Sequence, residues 1–393
     1  MAVDPRERGD VVAPVPLPPP AARFDRLLVL VFRTLVVGLT YVAVAAMVVN
    51  VFMLKWGFLD DMPEKNYHAL TTHTASRPYA YRVLSPAIVR AVDDWLPGRL
   101  KARIIAKGEE PADARPFPRA VAERFHFSNL DVSGQYVGYF YMFGCLVLLQ
   151  IALRFLLLQV PDASPFACDF APVVGLTLLP LTFTCGGYMY DFAELVFVTL
   201  SFYLLLRQKW LAYYTVFVFA CLNKETDVFV VLYFVGLYAG RFSRQRFVKH
   251  LAIHGVAGAL GVIAPHLLLA GNRGVAAENH WFAHLRYLLS LKPYFEMQDV
   301  YAPLIPVPRP LNIAVLFLVG FAVLHGWREK PIGWRRAFLL PLSVLVPLFV
   351  VLGWYDEVRA LYVVFPPLAL LTYDTLVRVY TGPLSLCDRR PSS

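Results

Sequence analysis

The chain has 393 residues, 58% of them hydrophobic and only 17% charged, with 37 Lys and Arg against 28 Asp and Glu. Soluble proteins average about 25% charged residues. The apolar residues here run in long blocks between short polar loops, which excludes the two soluble domains that the length alone would allow. The formal charge of +9 is not a nucleic-acid footprint, because the basic residues lie in short loops beside apolar blocks, where positive charge sets membrane orientation.

The first 22 residues are polar and proline-rich, including Pro14-Val-Pro-Leu-Pro-Pro-Pro20, and read as a disordered tail. The apolar run that follows, 27–54, is too long for a cleavable signal peptide and reads as a first span. Further spans are expected at about 134–158, 170–188, 191–206, 210–223, 226–240, 250–271, 310–326, 337–354 and 358–379. The two short blocks around Asn223 can also form one broken pair. The expected fold is an all-α polytopic transmembrane bundle of about ten spans. Residues 1–26 form a cytoplasmic tail, 27–380 the transmembrane domain and 381–393 a second tail.

Arg6, Arg8, Arg23 and Arg26 place the N-terminus inside. Alternation then puts Arg207–Lys209, Arg241–Lys249, Arg328–Arg336 and the C-terminal tail inside, and all four are basic. The 159–169 loop, also inside, carries no Lys or Arg. The large loop 55–133 falls outside, and its length exempts it from the charge rule. From Pro86 to Trp95 it reads as an amphipathic helix on the membrane surface, with Ile88, Val89, Ala91, Val92 and Trp95 apolar and Arg90, Asp93 and Asp94 polar.

On this topology four acidic or polar motifs collect at the outer face. They are Asp60-Asp61, Tyr190-Asp191 with Glu194, Asn223-Lys224-Glu225-Thr226-Asp227, and Asp356-Glu357 with Arg359. Charge near the hydrocarbon is costly and either pairs or serves function. Each motif also has an ordinary explanation: a solvated helix end, a turn or a local ion pair. Arg77 and Arg82 flank Tyr81, and a guanidinium there can fork onto a phosphate or anchor to lipid headgroups. His250 and His254, and His280 and His284, stand four apart, but two His without a third ligand are weak evidence for zinc. The five cysteines show no CxxC pair and no regular spacing, and the four in or beside apolar blocks read as packing residues.

Arg77-Pro-Tyr-Ala-Tyr-Arg-Val-Leu-Ser-Pro86, Tyr190-Asp-Phe-Ala-Glu194, Leu222-Asn-Lys-Glu-Thr226 and Asp356-Glu-Val-Arg-Ala360 follow one another in this order. Together they resemble a poorly characterised group of bacterial multi-span proteins, similar in layout to the GT-C class of membrane glycosyltransferases. The resemblance covers roughly residues 27–380. It implies a bacterial inner-membrane protein that moves a sugar from a polyprenyl-phosphate carrier to an external acceptor. In such chemistry Asp60 or Asp61 is the general base. Arg77, Arg82, Lys224 and Arg359 face the lipid phosphate. Tyr81, Asp191, Glu194, Asn223, Glu225 and Glu357 complete the substrate site, and a divalent cation, Mg or Mn, can bridge phosphate and Asp191. The alternative is a membrane transporter or a non-catalytic envelope-assembly protein. Charge gathered at one face and the lack of an internal repeat favour the enzyme.

Overall fold

The computed structural model describes residues 20–59, 62–108, 131–184, 186–275, 279–299 and 306–387. The tail up to residue 19, Asp60, Asp61, Cys185 and the tail from residue 388 lie outside the described residues. The chain divides into two compact units, Met1–Thr40 and Tyr41–Ser393. The first holds the N-terminal part of helix α1 (Pro20–Lys55), where Thr34 and Thr40 donate back to the carbonyls of Leu30 and Val36.

Among the described residues the second unit consists of helices joined by short loops and one two-stranded antiparallel ribbon, Met297–Asp299 with Pro306–Pro308. Helices α2 (Leu84–Trp95) and α3 (Gly98–Gly108) follow the first apolar helix. Next come α4 (Val132–Leu157), α5 (Pro165–Leu178), α6 (Met189–Leu206), α7 (Trp210–Asn223), α8 (Val231–Tyr238) and α9 (Arg244–Leu268). The chain ends with α10 (Trp281–Leu289), α11 (Ile313–Leu324), α12 (Ile332–Leu352) and α13 (Phe365–Cys387).

Seven helical stretches among the described residues are long and apolar enough to cross a membrane: Leu28–Lys55, Val132–Leu157, Pro165–Thr182, Met189–Leu206, Arg244–Leu268, Ile332–Leu352 and Val358–Tyr380. The other three expected spans are helical but short. Those are α7, α8 and α11, with 14, 8 and 12 residues. At 1.5 Å per residue these rise only about 12–21 Å, against a hydrocarbon core of about 30 Å.

Local chemistry shifts several ends. Ser243 caps α9 by accepting the Arg246 N–H, so that helix starts six residues before the expected 250. Pro165 sits in the first turn of α5, where a missing N–H costs nothing, and starts it five residues before the expected 170. Between α7 and α8 the chain breaks at the extended Lys224 and then winds as a 3-10 helix over Glu225–Val230.

Helix α6 is the axis of the packing. It lies against α4 and α7, while α7 meets α9, α8 meets α12, and α13 meets α11 and α12. Two glycines permit helices to touch backbone to backbone. A Cβ on Gly236 would stand 2.6 Å from the Ala337 nitrogen, and one on Gly261 2.4 Å from Cys221 Cβ. Small residues at such crossings are a usual means of membrane helix association.

Within the 55–133 loop, the expected amphipathic helix forms with a different division of its faces. Helix α2 forms where expected, but Val89 and Asp93 turn inward with Ser85 and Pro86. Asp93 is paired with Lys101 of α3 rather than solvated. Ile88, Val92 and Trp95 remain exposed. The period is helical, but the apolar stripe is split between an inner and an outer face, because α2 also packs on α4 and α6.

Candidate functional site

The N-terminus of α6 builds the centre. Gly186 takes a left-handed φ of +113°, which favours glycine, and swings the chain into the helix. Asp191, at the third helical position, accepts the Tyr188 backbone N–H at 2.9 Å and closes a capping box. The carboxylate therefore sits at the positive end of the helix dipole. It is 1% exposed, because α6 is covered by its neighbours.

Three cations from distant segments converge on this end. Lys224 Nζ donates to Asp191 Oδ1 at 3.3 Å and to Glu194 Oε2 at 2.6 Å. Its extended backbone ends α7 and aims the amine at α6. Arg359 Nη1 donates to Asp191 Oδ2 at 2.8 Å, and its other Nη donates to Glu357. Arg82 forks onto Glu225 at 3.1 and 3.4 Å and also donates to the Tyr190 hydroxyl. Burial pushes the Glu225 carboxyl up. The Arg82 charge and hydrogen bond outweigh it and hold the carboxyl below the usual range.

Two tyrosines knit the guanidiniums together. Tyr188 and Tyr190 stack at 4.9 Å with their planes 10° apart. Arg359 lies 4.7 Å from the Tyr188 ring and Arg82 4.7 Å from that of Tyr190. The result is a cation–ring–ring–cation sandwich, in which each desolvated guanidinium gains a π face. Asn223 donates to the Tyr190 carbonyl at 3.0 Å and accepts from Ser85, which also meets the Tyr141 hydroxyl. A narrow cleft borders the set at Tyr188, lined also by Phe52, Phe58, Leu59, Lys65 and Gly187 among others.

Of the expected residues, Arg82, Asp191, Glu194, Asn223, Lys224, Glu225, Glu357 and Arg359 are thus brought together. Arg77 and Tyr81 are not. Arg77 donates to the Gly274 carbonyl and pairs its backbone with the 273–274 strand-like segment. Tyr81 is buried and stacks on His266 at 3.7 Å. The turn Tyr79–Tyr81 lies between the two arginines, so the five-residue offset sends them to different partners. Asp60 and Asp61 lie outside the described residues, immediately after Leu59 of the cleft. Tyr188 and Ser85 are additions. An aromatic before Tyr190-Asp191 was the available signal for the first, and membership of the run Arg77–Pro86 for the second.

The described residues do not fit the divalent cation. Both Asp191 oxygens are taken by Lys224, Arg359 and a backbone N–H. Among the described residues no three His, Cys, Asp or Glu side chains stand where a metal could be held. The His254 ring bonds Tyr213 and the His250 carbonyl, and His250 bonds Tyr214, which commits that pair to packing. His284 bonds the Tyr355 carbonyl. Cys145, Cys168 and Cys221 are buried free thiols, in keeping with packing roles.

The fold and composition define a helical protein with the make-up of a multi-pass membrane protein. Compared with known proteins, this chain matches no family model, no curated protein and no solved structure.

Proposed function

We propose that the chain is a GT-C-like integral membrane glycosyltransferase of the bacterial inner membrane. It would move a sugar from a polyprenyl-phosphate carrier to an acceptor on the external face. The observation that carries the reading is the pairing of Lys224 and Arg359 with Asp191 and of Arg82 with the neighbouring Glu225, beside a cleft at the end of α1. Buried ion networks gain little over apolar packing and are costly in a bilayer, so a network of this size argues for use.

In this transfer the bond between the anomeric carbon and the phosphate oxygen breaks, and the phosphate leaves with the electron pair. The acceptor hydroxyl gives its proton to a base as its oxygen bonds to the sugar. Arg82 and Arg359 hold the departing phosphate, which displaces Glu225 and Glu357, the two carboxylates that keep 26% and 24% side-chain exposure. Lys224 remains with Asp191 and Glu194 and fixes the floor of the site. Asp60 or Asp61 accepts the proton.

A second reading, a transporter or non-catalytic assembly protein, draws on one observation: all three cations are already paired within the chain. Purified protein in liposomes containing a polyprenyl-phosphate sugar, supplied with a soluble hydroxyl acceptor, separates the two. Release of polyprenyl phosphate, lowered about 100- to 10,000-fold in the Asp60→Asn/Asp61→Asn double variant, supports the enzyme. No release and no donor binding with any such donor transfers the case to the second reading.

A further inference from the structure

Asp227 lies beside the network but outside its pairings. It sits in the 3-10 stretch Glu225–Val230, held by its own N–H to the Lys224 carbonyl at 3.0 Å. Its side chain has no exposure, and neither carboxyl oxygen has a hydrogen-bond partner among the described residues. Glu194, on α6, shares the condition in part. One oxygen takes Lys224, while Oε1 is buried without a partner.

The groups around Asp227 do not supply the missing charge. Those that act on it are Glu194 and Asp191 from α6 and Glu225 and Lys224 from the break. Cys221 of α7 and Tyr233 of α8 feel its field, and the Tyr233 hydroxyl is spent on the Val363 carbonyl. The segment Val358–Val364 brings Arg359, committed to Asp191 and Glu357, and Tyr362, committed to Thr182. Helix α9 meets the stretch through Gly258 against Val228. Five carboxyls, Asp191, Glu194, Glu225, Asp227 and Glu357, thus face three cations, Arg82, Lys224 and Arg359. The only one of the three within the immediate field of Asp227 is Lys224, whose ammonium is already divided between two acids.

We infer that Asp227, beside the Lys224–Glu194 pair, is a buried proton-binding site whose resting state is the neutral carboxylic acid. An ionised carboxylate in that place would forgo both water and hydrogen bonds, a cost that a buried acid avoids by taking a proton. The ligand is a proton and not a metal, since the two unpartnered acids bring too few oxygens for a cation cage. The site stands independently of the proposed sugar transfer, because it needs only burial and the surplus of acids. It gives the bundle a place to take up or release one positive charge without opening to water.

Infrared spectroscopy of the full-length protein in liposomes at neutral pH reads this directly. The expected spectrum contains the C=O stretch of a protonated carboxyl, well separated from the amide bands. That band shifts when the protein is made with aspartate labelled with 13C at the side-chain carboxyl. The labelling uses the wild-type chain, so it does not depend on any variant folding. Asp227→Asn, which has nearly the shape of the neutral acid, is expected to lose the band, and Glu194→Gln to keep it. Absence of the band in wild type, a band unmoved by labelled aspartate, or a labelled band that persists in Asp227→Asn would each overturn the proposal.

Discussion

Replacing Lys224 with methionine keeps the aliphatic stem and removes one buried charge. The structure says where the loss falls. Asp191 retains Arg359 at 2.8 Å and the Tyr188 N–H at 2.9 Å. Glu194 loses its one partner, at 2.6 Å, and its other oxygen already has none among the described residues. Breaking one side of a buried ion pair costs about 3–5 kcal/mol, mainly the penalty of the stranded charge. Lys224→Met is therefore expected to lower stability by about that much where Glu194 stays ionised, and by less, though still more than about 1 kcal/mol, where Glu194 takes up a proton as Asp227 is inferred to do. The Lys224→Met/Glu194→Met double variant, which removes both charges, is expected to return to within about 1 kcal/mol of wild type. Unfolding in mixed detergent micelles, followed by tryptophan fluorescence, measures all three proteins, with Glu194→Met closing the cycle. A single variant costing under about 1 kcal/mol, or a double no more stable than the single, would refute the placement of the cost on Glu194.

Glu225 is held below its ordinary range, so its pairing with Arg82 stabilises the fold above the unfolded carboxyl value of about 4.3 and is lost as pH falls through the lower folded value. Glu225→Gln should flatten that acid limb of an unfolding titration and leave the neutral slope unchanged; an identical acid limb would argue against the pair. Gly236→Ala should cost about 1–3 kcal/mol, because the new methyl meets the backbone of Arg336 and Ala337, whereas Gly255→Ala, with nothing within 4 Å, should cost nothing measurable. External maleimide should label a cysteine at Glu110 and spare one at Arg244; the reverse pattern overturns the orientation drawn from the basic loops.

All ten apolar blocks are helical in the structure, because long apolar runs in a chain of this composition have few alternatives. Their lengths were less legible. Whether a block runs the full width depends on breaks such as Lys224, whose extended backbone is set by the acids it reaches on α6. The site was legible as a set of motifs but not as a set of pairs. Arg359 and Asp191 are 168 residues apart, and Arg82 and Glu225 are 143 apart. No periodicity links such positions. The same gap explains Arg77 and Tyr81. They share a motif with Arg82, but packing against Gly274 and His266, from segments far along the chain, claims them first.

Lys330 belongs to the basic loop Arg328–Arg336. In the folded chain it is 1% exposed, and its nitrogen lies within 3.1 Å of the carbonyls of Ala322, Val323 and Leu371 and of the Thr375 hydroxyl. Two of those carbonyls end α11, where orphan acceptors need a donor. Burial lowers its pKa to about 8, so at neutral pH more of the free, reactive amine is present than for an ordinary lysine. An amine-directed reagent can still reach it only when the end of α11 parts from α13. Lys330 is thus a built-in clock for that junction. The rate at which it is modified, read by peptide mass, reports how often the end of this short helix comes undone.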